Sequence, residues 1–155
     1  MKLKAFFYPL LSLVFLASCT PTEGTTSSQS SATSETIPVS LQIDWKDRFK
    51  QEEDDYLFFY YSETSEKFNE IMGDVIAFAN SNIKKTYFAN INSSEGKIPI
   101  DKTAEPLINV SDISEFYILG TPTIVEIKEG TVTSNIPGKD KCLTFLNNER
   151  LNNKN

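Results

Sequence analysis

Ser62, Thr64 and Ser65 stand where a strand would hand the chain to a helix. They follow an apolar, aromatic run from Leu57 to Tyr61 and precede a helical pattern that begins at Phe68. Such a junction suits a reactive group, because the oriented N–H groups of a helix N-terminus stabilise an anion. Yet the turn holds no Cys, no His and no pair of Lys. What it offers is hydroxyls, which either cap the helix or make polar contacts to a ligand. The whole chain has no His, so imidazole catalysis and His-ligated metal sites are excluded. Neither a metal site nor a cofactor is expected. The acidic run from Gln51 to Asp55 reads as the solvated end of an element, the alternative being a cation site with convergent oxygens.

The elements that must position this turn follow from pattern. Tyr56 to Tyr61 has strong strand propensity and little alternation, which predicts a central strand buried on both faces. Phe68, Ile71, Met72, Val75, Ile76 and Ala79 share one helical stripe, with Gly73 inside it inviting a kink or a close contact. Ile37 to Ile43 partly alternates and predicts a first strand. Trp45 and Phe49 predict a short helix with Asp44 as its N-cap. Lys84 to Ile91 is a further strand, and 92–106 a polar connection. A short helix is expected within Val110 to Tyr117, capped by Ser111 or Asp112. Thr123 to Lys128 and Thr131 to Ile136 form a hairpin around Glu129-Gly130. Pro137-Gly138 ends it, and a last helix runs from Lys139 to about Asn148, its apolar face made by Cys142, Leu143, Phe145 and Leu146. The tail after Arg150 is polar and expected to fray. The order is β-α-β-α-β-α-β-β-α, or the same without its first strand. Alternation of strand and helix predicts a parallel core, and the hairpin adds an antiparallel edge.

The N-terminal part is built differently. Lys2 and Lys4 precede an apolar stretch, Ala5 to Ala17, that is short for a bilayer span and has the layout of a secretory signal. It closes on Leu16-Ala17-Ser18-Cys19, which resembles the lipobox of bacterial lipoproteins. The resemblance implies a signal peptide over 1–18, a lipid on Cys19 and a tether to the outer face of the cytoplasmic membrane. An ordinary signal peptide or an anchor helix with a chance Cys is the alternative. Residues 19–38 are rich in Ser and Thr, a composition that cannot bury a core and reads as a disordered spacer. Such spacers after a lipobox resemble those of Gram-positive surface lipoproteins. Residues 39–155 form the domain. Without Lys2 and Lys4 the formal charge goes from −6 to −8. That sign argues against nucleic acid and against adsorption to an anionic membrane, so the lipid must do the holding. With Cys19 lipidated, Cys142 is alone and no intramolecular disulfide forms.

Two motifs within this order, Tyr60-Tyr61-Ser62-Glu63-Thr64 before the striped helix and Leu119-Gly120-Thr121-Pro122-Thr123 before the hairpin, resemble the thioredoxin fold. The resemblance covers about residues 40 to 150. It implies a three-layer α/β domain with a central mixed sheet flanked by helices, and a cis bond at Thr121-Pro122 beside the active-site turn. The family carries Cys-x-x-Cys at the helix N-terminus. Its two positions fall on Ser65 and Phe68, or in an alternative register on Ser62 and Ser65, so both sulfurs are missing. The family's buried acid falls on Phe59, and Gly73 falls where thioredoxins often carry a kinking Pro. A Ser hydroxyl cannot form the mixed disulfide that thiol–disulfide exchange requires.

Three classes of function follow. One is a non-catalytic binding or adaptor module of the bacterial cell envelope. Its partner is an extended peptide or another envelope protein, held against the backbone of Thr121 with Thr64 and the aromatics Tyr60, Tyr61 and Tyr117 nearby. Each of those aromatics reads equally as core. The second class is an extracytoplasmic thiol–disulfide oxidoreductase or a relative of bacteriocin accessory proteins, in a degenerate or Cys-to-Ser form, with Cys142 as its remaining thiol. Its place on an apolar helix face makes Cys142 a buried small hydrophobe instead. The third is a surface lipoprotein with a purely structural role.

Overall fold

The computed structural model describes residues 36–93 and 97–154. The signal segment 1–18, Cys19 and most of the spacer lie outside the described residues.

The aromatic run becomes strand β1 (Asp55–Tyr61), with every residue after Asp55 buried. It pairs in parallel with β2 (Lys85–Asn90) and antiparallel with β3 (Thr123–Lys128). β4 (Thr131–Pro137) closes the hairpin, so the sheet order is β2-β1-β3-β4. Glu129 and Gly130 both have positive φ (49° and 71°), the geometry of a tight hairpin turn, and a register shift at Glu126/Ile127 lies on β3 just before the turn.

Strand alternation sends Leu57, Phe59 and Tyr61 to one face and Tyr56, Phe58 and Tyr60 to the other. On the first face lie the helices: α1 (Glu66–Asn69), α2 (Met72–Asn80) and α3 (Lys139–Asn152), contributing Phe68, Val75, Ile76, Phe78, Cys142 and Leu146 to the core. The second face is covered by irregular chain, with Trp45, Ile98, Val110, Phe116 and Ile118 buried against the sheet.

Local structure departs from pattern at several places. The expected strand over Ile37 to Ile43 is a 3-10 turn, Val39–Leu41, followed by a single parallel bridge from Gln42 to Phe88. Pro38 starts the turn by accepting the Leu41 N–H at 3.0 Å, which bends the chain before it can pair. The expected helix at Trp45 is likewise one 3-10 turn, Trp45–Asp47, with Asp44 accepting the Lys46 N–H at 2.7 Å. Asp112 plays the same part for Ser114 at the 3-10 turn Ile113–Glu115. The long helix expected from Phe68 is broken at Glu70–Ile71, ahead of Gly73. The Ile71 N–H reaches the Phe68 carbonyl at 3.0 Å, a tightened turn that lets Phe68 and Ile71 both enter the core. Gly73 is exposed within α2. The connection at 97–106 is less polar in role than in composition, since Ile98 is buried and Ile100 bridges Ile118. At the C-terminus α3 continues to Asn152, past the expected end.

One charged cluster ties the sheet to α3. Lys84 Nζ lies 2.6 Å from Glu126 Oε1, 3.1 Å from Asp55 Oδ1 and 3.5 Å from Glu149 Oε2. Thr133 and Ser134 donate their hydroxyls to Glu126 Oε2. Burial alone would raise the Glu126 carboxyl, but hydrogen bonds from Lys84, Ser134 and Lys128 outweigh it and hold it at about 2. A carboxyl depressed in the fold adds stability above its unfolded value and loses it as pH falls through its folded one. Urea denaturation of wild type and Glu126→Gln should therefore differ by roughly 3 kcal/mol at pH 7 and converge between about pH 4.5 and 2. A difference independent of pH over that window would refute this role.

Candidate functional site

At the C-terminal end of β1 the chain turns through 62–65, closed by the Ser65 N–H on the Ser62 carbonyl at 2.9 Å. The hydroxyls of this turn are engaged with one another. Ser62 Oγ lies 3.0 Å from Thr64 Oγ1, and Asn92 Nδ2 donates to Ser62 Oγ at 2.8 Å. The Ile91 N–H meets the Tyr61 carbonyl at 2.9 Å, so the turn is fastened to the chain leaving β2. Ser65 stands at the N-cap of α1, yet its side chain makes no cap hydrogen bond. Capping therefore does not explain these three residues; a latch between turn and β2 explains Ser62 and Thr64.

The position three residues beyond Ser65 is filled by a ring. Phe68 is 3% exposed and stacks on Tyr61 with ring centroids 4.6 Å apart. Phe59 lies 5.9 Å from Phe68 and 5.9 Å from Phe88. Four aromatic rings thus occupy the space under the turn, a dry and apolar filling. α1 is a single turn, so it brings little oriented dipole to the junction. Ser62, the first position of the alternative register, is buried and held by Asn92.

Across from the turn, the Thr121–Pro122 bond is cis. Thr123 Oγ1 donates to the Gly120 carbonyl at 2.7 Å, and the Gly138 N–H donates to the Pro122 carbonyl at 2.8 Å. Gly138 has φ 91°, which favours glycine at this junction between β4 and α3. Neither the N–H nor the C=O of Thr121 takes a backbone partner among the described residues. Beside them opens a cleft of about 500 Å³, with Ile91, Ile100 and Leu119 as apolar lining and Lys67 and Lys102 as charged lining.

The structure thus sorts the residues singled out in the sequence. Thr121 lines the cleft. Thr64 is exposed, and its hydroxyl contacts Ser62. Tyr61 is 2% exposed and committed to its stack on Phe68, which leaves almost no surface for a ligand. Tyr60 is fully buried, and Tyr117 donates its hydroxyl to the Glu105 carbonyl. Cys142 is fully buried, its thiol donating to the Ile136 carbonyl at 3.3 Å, and burial pushes that thiol up to about 12. It is packed as a small hydrophobe. Pattern missed Lys67 and Lys102. Lys67 reads as an ordinary exposed helix residue, and Lys102 sits in a connection whose path no periodicity reveals.

Among the described residues no group of three or more His, Cys, Asp or Glu is arranged to hold a metal ion, and no helix is long and apolar enough to cross a membrane.

Parallel β1–β2, antiparallel β3–β4 and a C-terminal helix on the α1–α2 face make this an α/β domain of thioredoxin-like fold. No protein-family model and no curated protein matches the chain. Among solved structures it is similar to thioredoxin f2 of Chlamydomonas reinhardtii, with 16% identity, 70% of this chain and 94% of that chain covered, and a TM-score of 0.47. At that distance no residue role passes from one chain to the other.

Proposed function

We propose that the domain is a non-catalytic binding module, tethered by lipid on Cys19 to the outer face of a bacterial cytoplasmic membrane, that takes an extended peptide of an envelope protein against Thr121. The observation that carries the binding half is that the N–H and C=O of Thr121, beside an open cleft, take no backbone partner among the described residues. An extended segment can pair with such groups as an added strand does. The non-catalytic half rests on chemistry. Exchange needs an accessible thiolate. Ser65 has none, Phe68 is core, and the Cys142 thiol is buried and held protonated.

Reduction of insulin by dithiothreitol, followed by turbidity, should run no faster with the protein than without it. Turnover above that control would overturn the reading, and its loss in Cys142→Ala would point to a one-thiol mechanism. The tether rests on Leu16-Ala17-Ser18-Cys19. Intact-mass measurement on protein extracted from membranes should give a chain beginning at Cys19 with a diacylglyceryl addition. A product cleaved elsewhere, without lipid, would refute the anchor.

A further inference from the structure

Resting on the peptide-binding reading above, we infer that the cleft beside Thr121 selects acidic segments, with Lys67 and Lys102 receiving their carboxylates. The chain has 21 Asp and Glu against 15 Lys and Arg, yet among the described residues the cleft is lined by two lysines and by no carboxylate. Neither lysine has an ion-pair partner among the described residues. Lys139, next in the chain to the cleft residue Gly138, is taken by Glu70. Beside Lys102, Asp101 already accepts the N–H and the hydroxyl of Thr103, and Glu66, beside Lys67, makes no ion pair with it among the described residues.

The rest of the lining selects a peptide rather than a small anion. Ile100 is 44% exposed, one of four large hydrophobic side chains so exposed among the described residues, and it sits in the cleft with Ile91 and Leu119. Its backbone is held by the bridge to Ile118, with the Asp101 N–H on the Ile118 carbonyl at 3.0 Å. An apolar surface on a fixed backbone, with main-chain groups at Thr121 and two cations that have no ion-pair partner among the described residues, matches an extended segment that alternates apolar and acidic residues. The net charge of the chain opposes such a ligand only at long range. At physiological salt that field is screened within about 8 Å, whereas contact with the two lysines is not.

The test uses the full-length chain in detergent and three fluorescein-labelled octapeptides, alternating Val with Glu, with Gln or with Lys. Anisotropy should show the Glu peptide binding about tenfold more tightly than the Gln peptide and tighter still than the Lys peptide. Lys67→Gln with Lys102→Gln should abolish that preference, and Lys141→Gln, an exposed lysine of α3 outside the cleft, should leave it intact. Equal binding of the Glu and Gln peptides, or a preference that survives the double variant, would overturn the charge selection and leave peptide binding standing. If no peptide binds at millimolar concentration and the amide resonances of Leu119, Gly120 and Thr121 do not move, peptide binding falls with it.

Discussion

Replacing Phe68 with alanine is expected to cost the domain about 3–5 kcal/mol, the range for removing a buried aromatic ring. Phe68 is 3% exposed and is gripped from two sides, by the stacked ring of Tyr61 and the tilted ring of Phe59. α1 has only four residues and is joined to α2 through a tightened turn at Ile71, so little of it can move inward to close the hole. The ring also fastens the turn at 62–65 to the sheet, because Phe68 N–H and Asn69 N–H both bond the Ser65 carbonyl at 3.1 Å. Ser65→Ala is the matched control. Its side chain caps nothing, and the change should fall within about 0.5 kcal/mol. Urea denaturation with unchanged m-values would measure both. A cost below about 1 kcal/mol for Phe68→Ala would mean that the ring does not hold the turn. The same geometry bears on chemistry: a thiol introduced at 68 would enter an apolar core and be held protonated there, so restoring Cys at 65 and 68 costs stability before it can return activity.

Much of this frame was legible in sequence because its signals are local. Six buried residues in a row made β1 a two-sided strand, and Glu129-Gly130 between alternating segments made the hairpin. The stripe Val75, Ile76 and Ala79 gave α2, and Cys142 and Leu146 gave the buried side of α3. What failed depended on distant partners. The segment after Ile37 has strand composition, but a single bridge to Phe88 is all the edge of β2 offers it once Pro38 has turned the chain. The break at Glu70–Ile71 is set by how far Phe68 must reach toward Phe59, which no helical periodicity encodes. The missing thiols could be read directly, whereas the rings that fill their space could not, since Phe59, Tyr61, Phe68 and Phe88 come from three elements. The cleft was half legible. Thr121 was visible through its motif, whereas Lys67 and Lys102 are far apart in the chain and come to line one cleft with Ile100, whose segment bridges Ile118.

Arg48 gives the second large effect, and its sign is set by two opposing terms. It sits in a stretch of polar residues, yet it is 0% exposed. Nη1 donates to the Tyr60 hydroxyl at a long 3.4 Å, while Nε and Nη2 meet no acceptor among the described residues. Burial lowers the guanidinium to about 10 despite the two tyrosines beside it, a penalty of roughly 3 kcal/mol for keeping the charge. Against this stands the ring of Phe116, whose centroid is 3.3 Å from Cζ, with Trp45 and Phe49 at 5.1 Å. A desolvated cation–π contact returns about 2 kcal/mol or more. The two nearly cancel, so the side chain holds the fold mainly by its volume. Arg48→Met should then match wild type or exceed it by about 1 kcal/mol, since a buried charge without an ionic partner is no better than an apolar group of similar shape. Arg48→Ala should lose about 2–4 kcal/mol, because it leaves a cavity between Trp45 and Phe116. Arg48→Lys should be worse than Met, as an ammonium keeps the desolvation penalty and loses the flat face that stacks on Phe116. Chemical denaturation at pH 7 orders the three. A Met variant as weak as the Ala variant would show that the charge itself is needed in this aromatic cage, and a Lys variant as stable as wild type would show that charge without planarity is enough.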